Sequence, residues 1–217
     1  MPKVTDEYFM EIKNKIMKCT REILQDKPLY QITMRDIIKR GGFSQGAIYR
    51  YYSCLDEICL DLVNNATKDI TIQEEMESIL EQECDENQKM KLLFDELGRY
   101  IIKIQDRIGG KFYFELLASY AFDKEKQIDI LPKLIFKQNL TTSQNKIVEY
   151  IMKKVEEGVF QPTIPLQSII SYTCVTIDGI ANDYALSNYN SLSNKPLQLN
   201  PQELFKMLAD NILKYLN

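Results

Sequence analysis

Apolar side chains in this chain recur three and four residues apart, and hardly anywhere at every second position. That spacing gathers them on one face of an α-helix, whereas a half-buried strand needs strict alternation. Glycine and proline, at 8 and 7 of 217 residues, are too sparse to punctuate many short strands. The pattern predicts an all-α fold of about nine helices. The first spans 5–25, with Phe9, Ile12, Ile16, Cys19 or Thr20, and Ile23 as its inner stripe and Pro28 past its end. Short helices follow at 33–40 and 44–52. A long one then runs from Cys54 or Leu55 to residue 80, roughly 40 Å at 1.5 Å per residue. Further helices are expected over 88–107, 111–122, 131–157, 165–187 and 201–216. Gly109-Gly110 and Gly158 act as breaks, Pro132 sits in a first turn, and 187–200 forms a loop by composition.

Residues 33–52, TMRDIIKRGGFSQGAIYRYY, carry the most specific local signal. Thr33 is placed to cap a helix, with Asp36 in the first turn where the helix dipole favours an anion. Ile37 and Ile38 supply a buried side. Gly41-Gly42 stops the helix, because glycine reaches left-handed angles without steric cost. Phe43 plugs the angle between helices, and Ser44 caps the second one. At 100° per residue Gln45, Gly46, Tyr49 and Arg50 lie along one side, while Ile48 and Tyr52 point to the core. This is the layout of a helix-turn-helix, whose second helix enters the DNA major groove. Gln45 suits a bidentate pair with adenine and Arg50 one with guanine, Gly46 admits close backbone approach, and Tyr49 offers a hydroxyl to a phosphate.

The order T-x-R-D-I followed by G-F-S-x-G-x-x-Y-x-Y-aromatic resembles the tetracycline-repressor (TetR) family of bacterial transcription regulators over residues 10–60. Farther on, EEGVFQP at 156–162 and a helix carrying Asp178-Gly179 look like a subset of that family. The resemblance implies phosphate contacts at Thr33 and Tyr49, base-edge neighbours at Gln45, Gly46 and Ala47, an arginine reaching DNA at Arg35, and a backbone contact at Tyr51. Plainer roles stand beside these: Thr33 as a cap only, Arg50 as a solvated charge, Tyr51 as packing. The family often places a lysine where Leu55 stands, and a leucine cannot neutralise a phosphate. Lys39, Arg40 or Lys3 are the candidate replacements. Ala47 is also smaller than the threonine common at its position.

Net charge is −4, which looks wrong for a nucleic-acid binder until its distribution is read. Residues 1–53 hold 10 Lys/Arg against 6 Asp/Glu, a net +4, and the rest hold 17 against 25, a net −8. A basic head on an acidic body fits a DNA-binding domain at 1–53 joined to a ligand-binding and dimerisation domain at 54–217, the long helix forming a rigid link. Cys19, Cys54, Cys59, Cys84 and Cys174 form no C-x-x-C pair and histidine is absent, so no metal or cofactor is expected. No apolar run reaches the roughly 20 residues of a membrane span, and the scattered thiols suit a reducing cytoplasm. Without histidine, a nucleophile elbow or a phosphate-binding glycine loop, catalytic residues are not expected.

One short helix gives few base contacts, so selective binding requires two heads on a palindromic operator and hence a homodimer. Ile170, Cys174, Ile177 and Ala181 on one C-terminal helix, with Leu204, Leu208 and Ile212 on the other, are the interface candidates, as a four-helix bundle. The alternative is that these faces pack within one subunit. Phe94, Tyr100, Phe112, Tyr113, Tyr120, Tyr172 and Asp178 are candidates for a pocket holding a hydrophobic or aromatic effector. Ordinary core is the alternative for each. The resemblance implies a repressor released by that effector. A regulator without a ligand, acting as an activator or through a protein partner, is the competing reading.

Overall fold

The computed structural model describes residues 6–187 and 200–217. Among them it contains eleven α-helices, two 3₁₀ turns and no strand, which matches the all-α expectation with two helices more than expected. They are α1 (Asp6–Asp26), α2 (Met34–Gly41), α3 (Gln45–Ile48), α4 (Leu55–Thr67), α5 (Gln73–Glu81), α6 (Glu86–Ile108), α7 (Gly110–Ala121), α8 (Lys124–Asp129), α9 (Ile135–Glu156), α10 (Leu166–Leu186) and α11 (Pro201–Leu216). Thr5, Lys3 and most of the 187–200 segment lie outside the described residues.

The chain divides into two compact units. The first comprises Met1–Thr67 with Glu115–Leu134, and the second Lys68–Phe114 with Ile135–Asn217. In the first, α1 packs against α2 and α4 through Ile16, Ile23, Ile37, Ile58 and Leu62, all buried. In the second, α11 lies along α6 and α10, and α9 also packs on α6. Phe94, Leu97, Tyr100, Phe136 and Phe205 fill that core. Gly98 is required there for close approach, since a Cβ would stand 2.6 Å from the Phe205 ring.

The expected long helix from Leu55 to residue 80 is not formed. It stops at Thr67, and α5 starts only at Gln73. Thr67 bonds back to the Val63 carbonyl, and Thr67, Ile70, Thr71 and Ile72 make a β-branched run that disfavours helix. Ile70 and Ile72 are both buried. Two residues apart, they would sit on opposite sides of a helix. Nor does α9 begin at residue 131. Pro132 falls in the 3₁₀ turn Leu131–Lys133, and α9 starts after it. Helix α8 was missed, although Asp123 caps it by accepting from the N–H groups of Glu125 and Lys126.

Candidate nucleic-acid interface

Local chemistry fixes the helix-turn-helix. The Thr33 hydroxyl accepts from the Asp36 N–H, and Asp36 accepts in turn from the Thr33 N–H at 2.9 Å, a complete capping box. The Thr33 hydroxyl also donates to Asp36 Oδ2 at 2.8 Å, so its proton is already committed. Lys27 donates to the same carboxylate, and these bonds hold the Asp36 carboxyl down to about 2. At the far end Gly42 takes φ +65°, and its N–H closes α2 on the Ile38 carbonyl. Gly41 leaves room for the Phe43 ring, which would meet a Cβ at 2.1 Å.

Ser44 caps α3 by accepting from the Ala47 N–H at 3.2 Å. The regular helix is shorter than the expected 44–52 and ends at Ile48. Beyond it the backbone stays coiled through mixed bonds: Arg50 N–H to Ala47, Tyr51 N–H to Ile48, and Tyr52 N–H to Ile48. Ile48 and Tyr52 are buried. Gln45, Gly46, Tyr49 and Arg50 are exposed, as are Thr33, Arg35 and Ser44, while Ala47 and Tyr51 are half-buried. The Tyr51 ring packs against Phe9 with centroids 4.8 Å apart, which accounts for part of its burial.

The segment is anchored from behind by a hub that sequence reasoning missed. Asp61 of α4 accepts from the Tyr52 hydroxyl at 2.9 Å and from Lys13 of α1 at 2.8 Å. The Lys13 ammonium also stands 4.8 Å from the centre of the Tyr52 ring. Burial first, then the Asp61 carboxylate, push the Tyr52 phenol well above its ordinary range. The sequence carried a weak signal for it, a lysine one residue past Ile12 on the inner stripe of α1.

Leu55 is half-buried at the first position of α4. The acidic pair after it is used locally. Glu57 accepts from the Ser53 N–H at 2.6 Å, and Asp56 pairs with Lys126 at 3.2 Å. Of the replacements for the family lysine, Arg40 is tied to Glu22 and Asp26 of α1, and Lys3 is outside the described residues. Arg35, Lys39 and Arg50 are exposed and carry no ion pair among the described residues.

Residues 16–57, which span this motif, match the family described as bacterial regulatory proteins, tetR family. This match over the helix-turn-helix supports the resemblance read from the sequence. It is also similar to the HTH-type transcriptional regulator YfiR of Bacillus subtilis (strain 168), with 22% identity over 183 residues and 82% of each chain covered. Two solved structures share the fold. The fatty acid degradation regulator FadR of Bacillus halodurans has a TM-score of 0.56 at 14% identity, covering 93% of this chain and 94% of that one. The TetR family transcriptional regulator PfmR of Thermus thermophilus has a TM-score of 0.58 at 15% identity, covering 93% and 98%. Together the family match and the curated relative support a DNA-binding transcriptional regulator. No helix among its described residues is long and apolar enough to cross a membrane.

The other expected sites are distributed differently from the sequence reading. Phe94, Tyr100, Phe112 and Tyr113 are buried in the second unit, but Tyr120 belongs to the first, where Lys126 lies 5.4 Å from its ring centre. Tyr172 and Asp178 are exposed on the outward side of α10. Polar atoms do reach the second unit's interior. The Tyr100 hydroxyl donates to the Phe136 carbonyl at 3.1 Å, and Gln105 donates to the Ala181 carbonyl at 2.8 Å. Gln105 Oε1 and Ser143 Oγ are buried without a hydrogen-bond partner among the described residues. Burial, and secondarily the Asp178 charge, raise the Tyr113 phenol.

Of the interface candidates, Ile177, Ala181, Leu208 and Ile212 are buried within the protomer's own core and present nothing outward. Ile170, Cys174 and Leu204 are half-buried. The outward faces of the same helices carry Tyr172, Val175 and Gly179 on α10 and Met207 and Tyr215 on α11. Val175 is 72% exposed and Met207 54%. The Tyr172 and Tyr215 rings meet edge-on with centroids 6.3 Å apart, which makes the two faces one apolar surface.

Proposed function

We propose that this regulator is a repressor that binds a palindromic operator as a homodimer in the cytoplasm and is released by a small-molecule effector. In this reading residues 1–53 read DNA, and 54–217 sense the effector and dimerise. The observation that carries it is the segment 44–52: capped at Ser44, held from behind by Tyr52 on Asp61, and outwardly exposed at Gln45, Tyr49 and Arg50. A helix with that presentation suits the major groove, Gln45 and Arg50 to base edges and Tyr49 to phosphate. Gly46 and Ala47 allow close approach. Arg35 and Lys39 supply the positive charge that Leu55 does not.

Two heads are joined in this reading through Tyr172, Val175, Gly179, Met207 and Tyr215, with Ile170, Cys174 and Leu204 at the margin. An apolar surface of that kind on a helix pair favours a four-helix bundle with a second copy. The effector is received in the second unit, where Gln105 Oε1 is an unmet acceptor among aromatic side chains. An apolar or aromatic molecule bearing one hydrogen-bond donor fits that chemistry. Release then needs a coupling of about 1–3 kcal/mol, a 5- to 150-fold loss of operator affinity. Helix α7 is the candidate lever, as the one described helix whose residues divide between both units.

The test is a footprint on the DNA immediately upstream of the gene. The expected result is a protected inverted repeat whose half-sites lie a whole number of helical turns apart, with protection falling steeply as salt rises. No protection at low ionic strength refutes operator binding. A monomer in sedimentation at micromolar concentration refutes the dimer.

A further inference from the structure

The 3₁₀ turn Leu29–Gln31 stands directly ahead of Thr33, the residue that starts α2. The first N–H of such a turn has no partner inside it. A polar side chain on the preceding residue normally accepts that bond, but here the residue is Pro28, which has no side-chain acceptor. Leu29 and Ile32 are both buried, which limits access of water to that N–H. The acceptor comes from 86 residues away: the Leu29 N–H donates to Glu115 Oε2 at 2.8 Å. The Ile32 N–H then closes the turn on the Leu29 carbonyl at 3.0 Å, which sets where Thr33 can begin the next helix.

Glu115 is not an isolated visitor. The whole segment Glu115–Leu134 belongs to the head's compact unit. Lys126 from that segment pairs with Asp56 at the start of α4, and the Lys133 carbonyl accepts from Asn64 at 2.9 Å. Those two ties hold α4, whereas Glu115 reaches the turn in front of the helix-turn-helix. We propose that Glu115 is a positioning residue for DNA reading: it caps the turn at Leu29 and so fixes the start of α2 and the presentation of α3. This deepens the operator-binding reading and rests on it.

Two substitutions separate this role from plain stabilisation. Glu115→Gln keeps an acceptor oxygen, and Glu115→Ala removes it. Amide hydrogen exchange in the full chain reads the bond without DNA. In Glu115→Ala the Leu29 N–H exchanges about 10- to 100-fold faster, as expected for losing a bond to a charged acceptor. The amides of α2 follow, those of α6 and α11 do not, and Glu115→Gln stays close to wild type. The second readout is affinity for the duplex immediately upstream of the gene, taken far below the unfolding temperature. Glu115→Ala weakens it about 3- to 10-fold through lost preorganisation. The salt slope is unchanged, because Glu115 neutralises no phosphate. Glu115→Gln restores it.

Unchanged Leu29 exchange in Glu115→Ala overturns the proposal. So does fast exchange with unchanged affinity, which reduces Glu115 to a structural tie. If Glu115→Ala does not fold, Glu115→Asp serves, withdrawing the oxygen by about one carbon–carbon bond, ~1.5 Å. A wild-type chain that ignores the duplex overturns the operator reading instead, and exchange over residues 29–48 then decides the role of Glu115 by itself.

Discussion

Replacing Tyr52 by phenylalanine removes one hydroxyl and little else. The ring is 2% exposed and keeps its packing, and Lys13 keeps its place above the ring at 4.8 Å. What is lost is the 2.9 Å bond from the phenol to Asp61 Oδ2. Hydrogen bonds to charged groups contribute about 1.5–3 kcal/mol. Asp61 retains Lys13 at 2.8 Å, and its side chain is 34% exposed, so water partly replaces the phenol. The loss therefore falls at the low end, about 1.5 kcal/mol. With a urea dependence of about 1–3 kcal/mol per molar, the midpoint moves down by roughly 0.5–1.5 M. The chain has no Trp, so far-ultraviolet circular dichroism is the probe.

The same bond has a pH signature of known sign. The folded-state phenol of Tyr52 lies above its ordinary value near 10, chiefly through burial and then through Asp61. A group raised in the folded state contributes stability that is complete below the unfolded value and is lost as pH rises beyond it. The gap between wild type and Tyr52→Phe should be constant from pH 7 to 9. Above pH 10 it should shrink by about 1.4 kcal/mol per pH unit, closing near pH 11. Other buried tyrosines titrate equally in both proteins and cancel. Equal stability at pH 8, or a gap that persists unchanged past pH 11, refutes the account of the hub.

Other perturbations test other joints. Asp36→Ala removes the capping box and the Lys27 pair, with an expected loss of about 1 kcal/mol in urea unfolding at pH 7. Because the folded carboxyl is held at about 2, that loss should be complete above pH 4 and fade as pH falls toward 2. Gly98→Ala forces a Cβ to within 2.6 Å of the buried Phe205 ring, so thermal unfolding should report about 1–3 kcal/mol of destabilisation. Arg50→Ala should weaken operator binding and either relax one base preference or lower the salt slope by about one. Arg40→Ala, already engaged by Glu22 and Asp26, should leave that slope alone. Val175→Glu should convert the dimer to monomer in sedimentation, since a buried unpaired charge costs about 3–5 kcal/mol.

Where the sequence succeeded, local rules were sufficient. Thr33 with Asp36, the Gly41-Gly42 stop and Ser44 each act on backbone within four residues, and each does so in the structure. The long helices α6, α10 and α11 follow their three-and-four spacing to within about two residues. Failures began where distant partners decide. Nothing local announces that Ile70 and Ile72 are both buried, which adds to the β-branched residues in ending the run from Leu55. Nothing in Pro28 names Glu115 as the acceptor for the next N–H. The Asp61 hub is of the same kind, with partners 9 and 48 residues away.

Four of the interface candidates, Ile177, Ala181, Leu208 and Ile212, are buried in the protomer for a more general reason. A helical stripe says which face is apolar and not what covers it. In α10 the stripe through Ile169, Ile177 and Ala181 is the more apolar, and it is buried in the protomer's own core. The face left exposed is the poorer one, with Tyr172, Val175 and Gly179 among polar neighbours. A surface that must stay soluble until a second copy arrives cannot be as apolar as a core. Choosing the most hydrophobic stripe therefore selects the protomer's own core whenever a helix has two apolar faces. The better rule subtracts the residues the protomer needs for itself. Applied to α11, it removes Leu208 and Ile212 and leaves Met207 and Tyr215, whose ring already touches Tyr172.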